Sequence, residues 1–252
     1  NGIGGYAMGT PSLARSRRYH GFLVAATQPP TVRTLMVAVV DAWLEIGDAR
    51  FPLCTHEWSA SVLLPDGYRH LERFRLEGTT PVWTWAVGDA QIEQRLWMAR
   101  GRNTTYVTYR YVRGANPVVL QLTPLCTYRD HHRNTRGGTA VDVELFSNNA
   151  WQGAEITSHE DLSRDPDAGP PIPFQLMADA HSAETLGEWW WSFHLEQETE
   201  RGLTDSEDLY AAVTFRKTLL PGERMTLILS ADPGTPSSVE QALEDLALHE
   251  RS

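Results

Sequence analysis

Lysine is nearly missing from this chain: Lys217 is the only one, and arginine supplies almost all of the positive charge. Basic residues number 22 against 32 acidic ones, a formal net charge of −10. That balance argues against a nucleic-acid partner, which needs a concentrated basic face to displace counterions from phosphates. A neutral polymer such as a polysaccharide stays compatible. Cysteine is scarce too. Cys54 and Cys126 are too few for a disulfide framework and stand in no metal-type spacing, so they read as small buried apolar residues in a reduced, cytoplasmic setting. No apolar run reaches the length of a membrane span, and no basic-then-apolar leader opens the chain, so no membrane partner is expected. The first residue is Asn1 rather than Met, which leaves export open.

The usual motifs of catalysis are also absent. The glycine-rich start, Asn1-Gly2-Ile3-Gly4-Gly5-Tyr6, lacks the preceding strand, the lysine and the Ser or Thr of a phosphate loop, and no Gly-x-Ser-x-Gly elbow occurs. Asp130, Glu200, Glu207 and Asp208 are carboxylates of the glycosidase type, yet nothing in their spacing pairs any two of them. No residue is therefore assigned as catalytic. His131 and His132 are adjacent, which lacks the spacing that puts two ligands on one ion, so neither metal nor cofactor is expected.

What is present is alternation. Period-two patterning with frequent turn residues predicts strands at 19–26, 35–40, 71–77, 82–87, 91–98, 104–111, 118–123, 175–180, 189–196, 210–219 and 224–231. Turns are expected at Gly47-Asp48, Asp66-Gly67, Gly88-Asp89 and Pro221-Gly222. The stretch from Tyr128 to Gly138 breaks the pattern and reads as a long exposed loop, and Ser163 to Pro173 reads as a surface excursion. Ser237 with Glu240 caps a helix whose apolar face is Val239, Ala242, Leu243, Leu246 and Ala247. Such a helix can pack back on the sheet or start a linker. A chain of this length buries a substantial core, and it reads as all-β and antiparallel, in one large domain or two small ones.

A sugar offers hydroxyls to bidentate polar groups and a C–H face to aromatic rings, and this sequence has both kinds of partner. Its nine tryptophans include Trp189-Trp190-Trp191. Consecutive strand residues point to opposite faces, so the second face meets a sheet, a domain or a ligand, unless all three rings fill the space between two sheets. Tyr128-Arg129-Asp130-His131-His132 is the densest polar group, fit either to orient a donor toward a sugar hydroxyl or to form a salt-bridged loop. Arg17-Arg18-Tyr19-His20-Gly21 faces a ligand or is simply a charged approach to a strand.

Three separated segments resemble one family, the amino-terminal domain of archaeal and bacterial glycogen-debranching enzymes. They are NGIGGYAMGT with RRYHGFLVAA, then LTPLCTYRDHH, then WWWSFHLEQETERGLTDSEDLY, in the family's order from Asn1 to Tyr210. The resemblance implies a β-supersandwich of the glucoamylase and glycoside-phosphorylase type with a C-terminal helix. It implies a parent enzyme, an amylo-α-1,6-glucosidase acting on glycogen or branched dextrin, whose acid and base sit in a following (α/α)6 barrel. Residues 1–236 would then be the sandwich and 237–252 the helical linker. Carried over by motif, Arg129, Asp130 and His132 lean over the barrel's sugar pocket, with Arg18, Tyr19 and His20 as further interface or substrate contacts. Glu200, Arg201, Glu207 and Asp208 would be ion pairs that hold loops. The chain departs from the family's pattern at His131, usually an aromatic, and at Leu195 and Ala211-Ala212, usually an aromatic and a Pro-Gly pair. An autonomous carbohydrate-binding module, or the sandwich of another α-glucoside hydrolase or phosphorylase, is the alternative.

Overall fold

Alternating segments and unbroken apolar segments of this sequence go to different sheets. The computed structural model describes residues 1–29, 31–59, 62–148, 150–159, 171–234 and 236–250. Its first half holds β1 (Tyr6–Met8), β2 (Gly21–Gln28), β3 (Val32–Ile46), β4 (Ala49–Pro52), β5 (Thr55–Ser59), β6 (Val62–Asp66), β7 (Leu71–Glu77), β8 (Thr80–Val87) and β9 (Ala90–Met98). Then come β10 (Thr104–Arg113), β11 (Val118–Asp130), β12 (Val141–Ser147), β13 (Gln152–Ser158), β14 (Phe174–Ala178), β15 (Ser182–His194), β16 (Ser206–Leu219) and β17 (Arg224–Ser230). Two helices, α1 (Glu196–Thr199) and α2 (Val239–Glu250), complete the described chain with a short 3-10 turn at Gly67–His70.

One sheet runs β1-β2-β3-β11-β16-β15 with β4 added to β3, the other runs β12-β13-β14-β17-β10-β9-β8-β7, and β5–β6 form a separate hairpin. All-antiparallel pairing within a two-sheet sandwich was expected, and the structure shows it. Strands β8 and β9 alternate buried and half-exposed residues, as a sheet with one wet face must. The apolar runs of β2 and β3 are buried throughout, from Gly21 to Ala26 and from Leu35 to Ala42. Leu23, Leu35 and Phe215 of the first sheet and Trp85, Tyr109 and Leu227 of the second belong to one core.

Register places the site. β11 lies beside β16 from Val118 opposite Leu219 to Cys126 opposite Tyr210, and just past that pair the Arg129 side chain of β11 reaches the Glu207 side chain of β16.

Three expectations need correction. β11 runs on through Tyr128, Arg129 and Asp130, so the polar group begins inside a strand, and Tyr128, Arg129, His131 and Thr135 are buried, not exposed. Tyr19 and His20 precede β2, which starts at Gly21. The turn at Asp66-Gly67 opens the 3-10 turn without left-handed backbone, whereas the expected turns at Gly47, Gly88 and Gly222 each hold their glycine at positive φ. Gly67 is glycine for a different reason: a Cβ there would stand 2.4 Å from the Cys54 carbonyl oxygen and 2.6 Å from its nitrogen. Backbone cannot retreat as a side chain can, so Gly67→Ala is expected to destabilise the domain by about 1–3 kcal/mol, measured by thermal melting. An unchanged melting temperature would show that the hairpin yields.

The helix starts one residue later than expected, with the Ser238 hydroxyl accepting from Gln241 N–H at 3.2 Å. It packs back on the second sheet: Val239 and Ala242 are buried with Trp97, Tyr106, Met177 and Ile228, and Leu243 and Leu246 lie against them. Among the described residues no helix is long and apolar enough to cross a membrane. Ser163–Pro173 falls, as far as residue 170, outside the described residues.

Candidate functional site

The floor of the site is a buried carboxylate shared by two arginines. Glu207, at the start of β16, is fully buried and accepts hydrogen bonds from Arg15 and from Arg129 Nε, with Arg129 Nη2 at 3.1 Å and the Thr135 N–H at 3.2 Å. Burial alone would raise its pKa, but the guanidinium charges of Arg129 and Arg15 outweigh burial and hold it at about 2. Arg129 commits most of its donors. Its Nη2 also reaches the Arg18 carbonyl at 2.6 Å and its Nη1 the Asp130 carbonyl at 3.1 Å. Arg15 Nε donates to the His20 carbonyl at 3.3 Å.

Glu198, on α1, is a second fully buried carboxylate, receiving the Arg18 N–H at 3.1 Å and standing 3.4 Å from Arg18 Nη2 and 4.0 Å from Arg17 Nε. Above this floor sits an exposed rim. Arg18 Nη1 donates to the His132 carbonyl at 2.8 Å, and the Tyr19 hydroxyl lies 3.0 Å from His132 Nδ1 with the two rings edge to face. Asp130 turns the loop by accepting the His132 N–H at 2.7 Å, an Asx turn that a carboxylate forms readily. Beneath it His131 is buried, and burial first and His132 second lower its pKa.

So the six residues singled out in the sequence come together, but in two layers. Arg18, Tyr19 and Asp130 are half-buried and His132 is exposed, while Arg129 and His20 are 4 % and 6 % exposed. Both of these last two are bound within the protein. His20 Nδ1 receives the Ser16 N–H at 3.2 Å, and burial, then Arg15 and Arg17, bring its pKa down to about 4, so it is neutral near pH 7. Sequence reasoning missed Arg15 and Glu198.

Of the expected loop-holding ions, Glu207 acts as foreseen, and Asp208 instead caps backbone, accepting from Gly137 N–H at 2.9 Å and Ser192 N–H at 2.8 Å. Glu200 and Arg201 lie exposed after α1. The tryptophan triplet is split as well. Trp189 and Trp190 lie partly buried against the core, whereas Trp191 is 54 % exposed on the same side as Trp189. Gly137 passes between those two rings so closely that a Cβ would stand 2.8 Å from each. Two clefts elsewhere, one of about 850 Å³ around Lys217 and Arg224 and one of about 670 Å³ beside α2, are lined by none of the six residues.

A family model described as glycogen debranching enzyme N terminal matches residues 1–226. The chain belongs to that family. The match covers both large sheets but for the last four residues of β17, and every residue of the rim and floor of this debranching-enzyme domain. No curated protein matches the chain. Among solved structures, a bacterial glucoamylase complexed with acarbose is similar at 9 % identity and TM-score 0.39 over 87 % of this chain and 30 % of its own. A polysaccharide lyase is similar at 14 % identity and TM-score 0.40, over 97 % of this chain and 35 % of its own. The debranching-enzyme domain thus spans about a third of the length of each of these proteins.

Proposed function

We propose that this debranching-enzyme domain supports the substrate site of an amylo-α-1,6-glucosidase that removes α-1,6 branches from glycogen or related α-glucans. In this reading residues 1–236 form the sandwich, 237–252 lead toward an (α/α)6 barrel, and that barrel brings the acid and base. The observation that carries it is the layering of the site. The two carboxylates beneath the rim are both buried and committed to arginines, and one held at about 2 is always ionised, so it cannot donate a proton. What the rim offers instead is a rigid set of hydroxyl-binding groups, Asp130, His132, Tyr19 and Arg18, suited to positioning a sugar. Two unpaired, buried thiols accord with a cytoplasmic setting.

Asp130→Ala in the full-length enzyme is expected to lower kcat/KM on branched dextrin by roughly ten- to a hundredfold, the cost of a misplaced substrate, with the melting temperature unchanged. Unaltered hydrolysis at unaltered stability would remove the rim from the substrate site.

One observation favours a second reading, an autonomous carbohydrate-binding module: the exposed Trp191 ring offers a sugar-stacking face. Affinity electrophoresis in glycogen gels separates the two. Strong retardation of this chain alone, lost in Trp191→Ala, favours the module; migration unaffected by glycogen favours the supporting domain.

A further inference from the structure

The two large sheets and the β5–β6 hairpin meet at one polar spot inside the core. Asp41 lies on β3, Cys54 on the link after β4, His56 on β5 and Tyr109 on β10. Asp41, Cys54 and His56 are at most 2 % exposed, and one ligand atom from each lies within 4.8 Å of the others. His56 Nε2 stands 2.9 Å from Asp41 Oδ2 and 2.8 Å from Oδ1, and the Cys54 thiol turns to the same carboxylate. Tyr109 is wholly buried nearby. Among the described residues its hydroxyl has no hydrogen-bond partner. A buried phenol left unsatisfied costs free energy in an apolar core, so the arrangement asks for a further partner.

We propose that Asp41, Cys54 and His56 form a structural site for a zinc-class divalent cation, with the unpartnered phenol of Tyr109 buried close by. The donor set fits that class. A thiolate sulfur, an imidazole nitrogen and a carboxylate oxygen are the ligands of zinc, whereas calcium and magnesium take oxygens alone. The charges close as well: a dication, a thiolate, a carboxylate and a neutral imidazole sum to zero, which an apolar core tolerates. Binding releases one proton, from the Cys54 sulfur. His56 keeps its own on Nδ1 when Nε2 ligates. Donors around tetrahedral zinc stand roughly 3.3 Å apart, given metal–ligand distances of about 2.0–2.3 Å, so the Asp41–His56 contact has to open by about half an ångström, within the reach of a rotamer adjustment.

Cys54 and His56, two apart in extended backbone, share a side, which is the one hint the sequence holds. A two-stranded hairpin is marginal by itself, and such a cation would tie β5–β6 to both sheets.

The test uses the whole chain, purified under reducing conditions from zinc-supplemented culture. The expected result is about one zinc per chain by mass spectrometry, and a thiolate-to-cobalt charge-transfer band on refolding with Co(II) that Cys54→Ala abolishes. Refolding with a chelator lowers the melting temperature. Should Cys54→Ala fail to fold, the cobalt band of the unaltered chain decides the question. Traces of zinc only, with no band after refolding in Co(II), would reduce the cluster to a carboxylate hydrogen-bonded by a thiol and an imidazole.

Discussion

Glu207→Ala is expected to cost the domain about 3–5 kcal/mol, read as a fall in the urea midpoint at neutral pH. The substitution leaves Arg15 and Arg129 facing each other with 5 % of either side chain exposed and no anion between them. Two like charges in a water-poor site have neither solvation nor a partner. The effect belongs to the imbalance and not to the ion pairs as such. Replacing Arg15, Arg129 and Glu207 together by Met, Met and Leu should therefore recover most of the lost stability, while the rim above loses its anchors to the Arg18 and Asp130 carbonyls. A loss under about 1 kcal/mol for Glu207→Ala would mean that water reaches the arginines.

Acid should weaken the fold in two stages with different owners. His20 titrates at about 4 when folded against an ordinary 6.5, so as pH falls from about 6.5 to 4 the unfolded chain takes up a proton that the folded chain refuses, and stability drops. His131, also lowered, adds to this limb. Glu207 follows. Its ordinary 4.5 and folded value of about 2 mean that stability present above 4.5 is lost as pH falls toward 2, on the order of 3 kcal/mol. Urea midpoints measured from pH 7 to 3 check both limbs. His20→Asn, which keeps an acceptor for the Ser16 N–H, should flatten the upper limb and leave the lower one. A midpoint constant from pH 7 to 4.5 in the unaltered chain would refute the burial of a neutral His20.

Much of this architecture is legible from local pattern because an antiparallel sheet writes its faces into alternate residues. β7 was bounded by Leu71 and Glu77, and β8 to β10 were found within a few residues of their ends. Among the strands that escaped, β12 and β13 do alternate, whereas β1 and β4 span three and four residues and β5 and β6 pair only with each other.

The site was half legible. Arg18, Tyr19, Asp130 and His132 meet as the grouping implied, but the inward turn of Arg129 and His20 was not readable. A guanidinium is buried only when a carboxylate neutralises it, and here that carboxylate stands 78 residues away from Arg129 and 192 from Arg15. Glu198 was overlooked for the same reason: in EQETERG it looks like any acid on a short helix, and only the distant Arg18 distinguishes it.

The strand order also shapes how the polypeptide is born. β16 lies inside the first sheet between β11 and β15, and β17 inside the second between β14 and β10, so the last strands made are central ones. Until β16 and β17 have left the ribosome, four nascent edges stand without their neighbours, among them β10 from Thr104 to Arg110. Such edges invite pairing with other chains. This polypeptide is accordingly expected to lean on trigger-factor-like holdases while it is being translated, and to close both sheets together in one late, cooperative step.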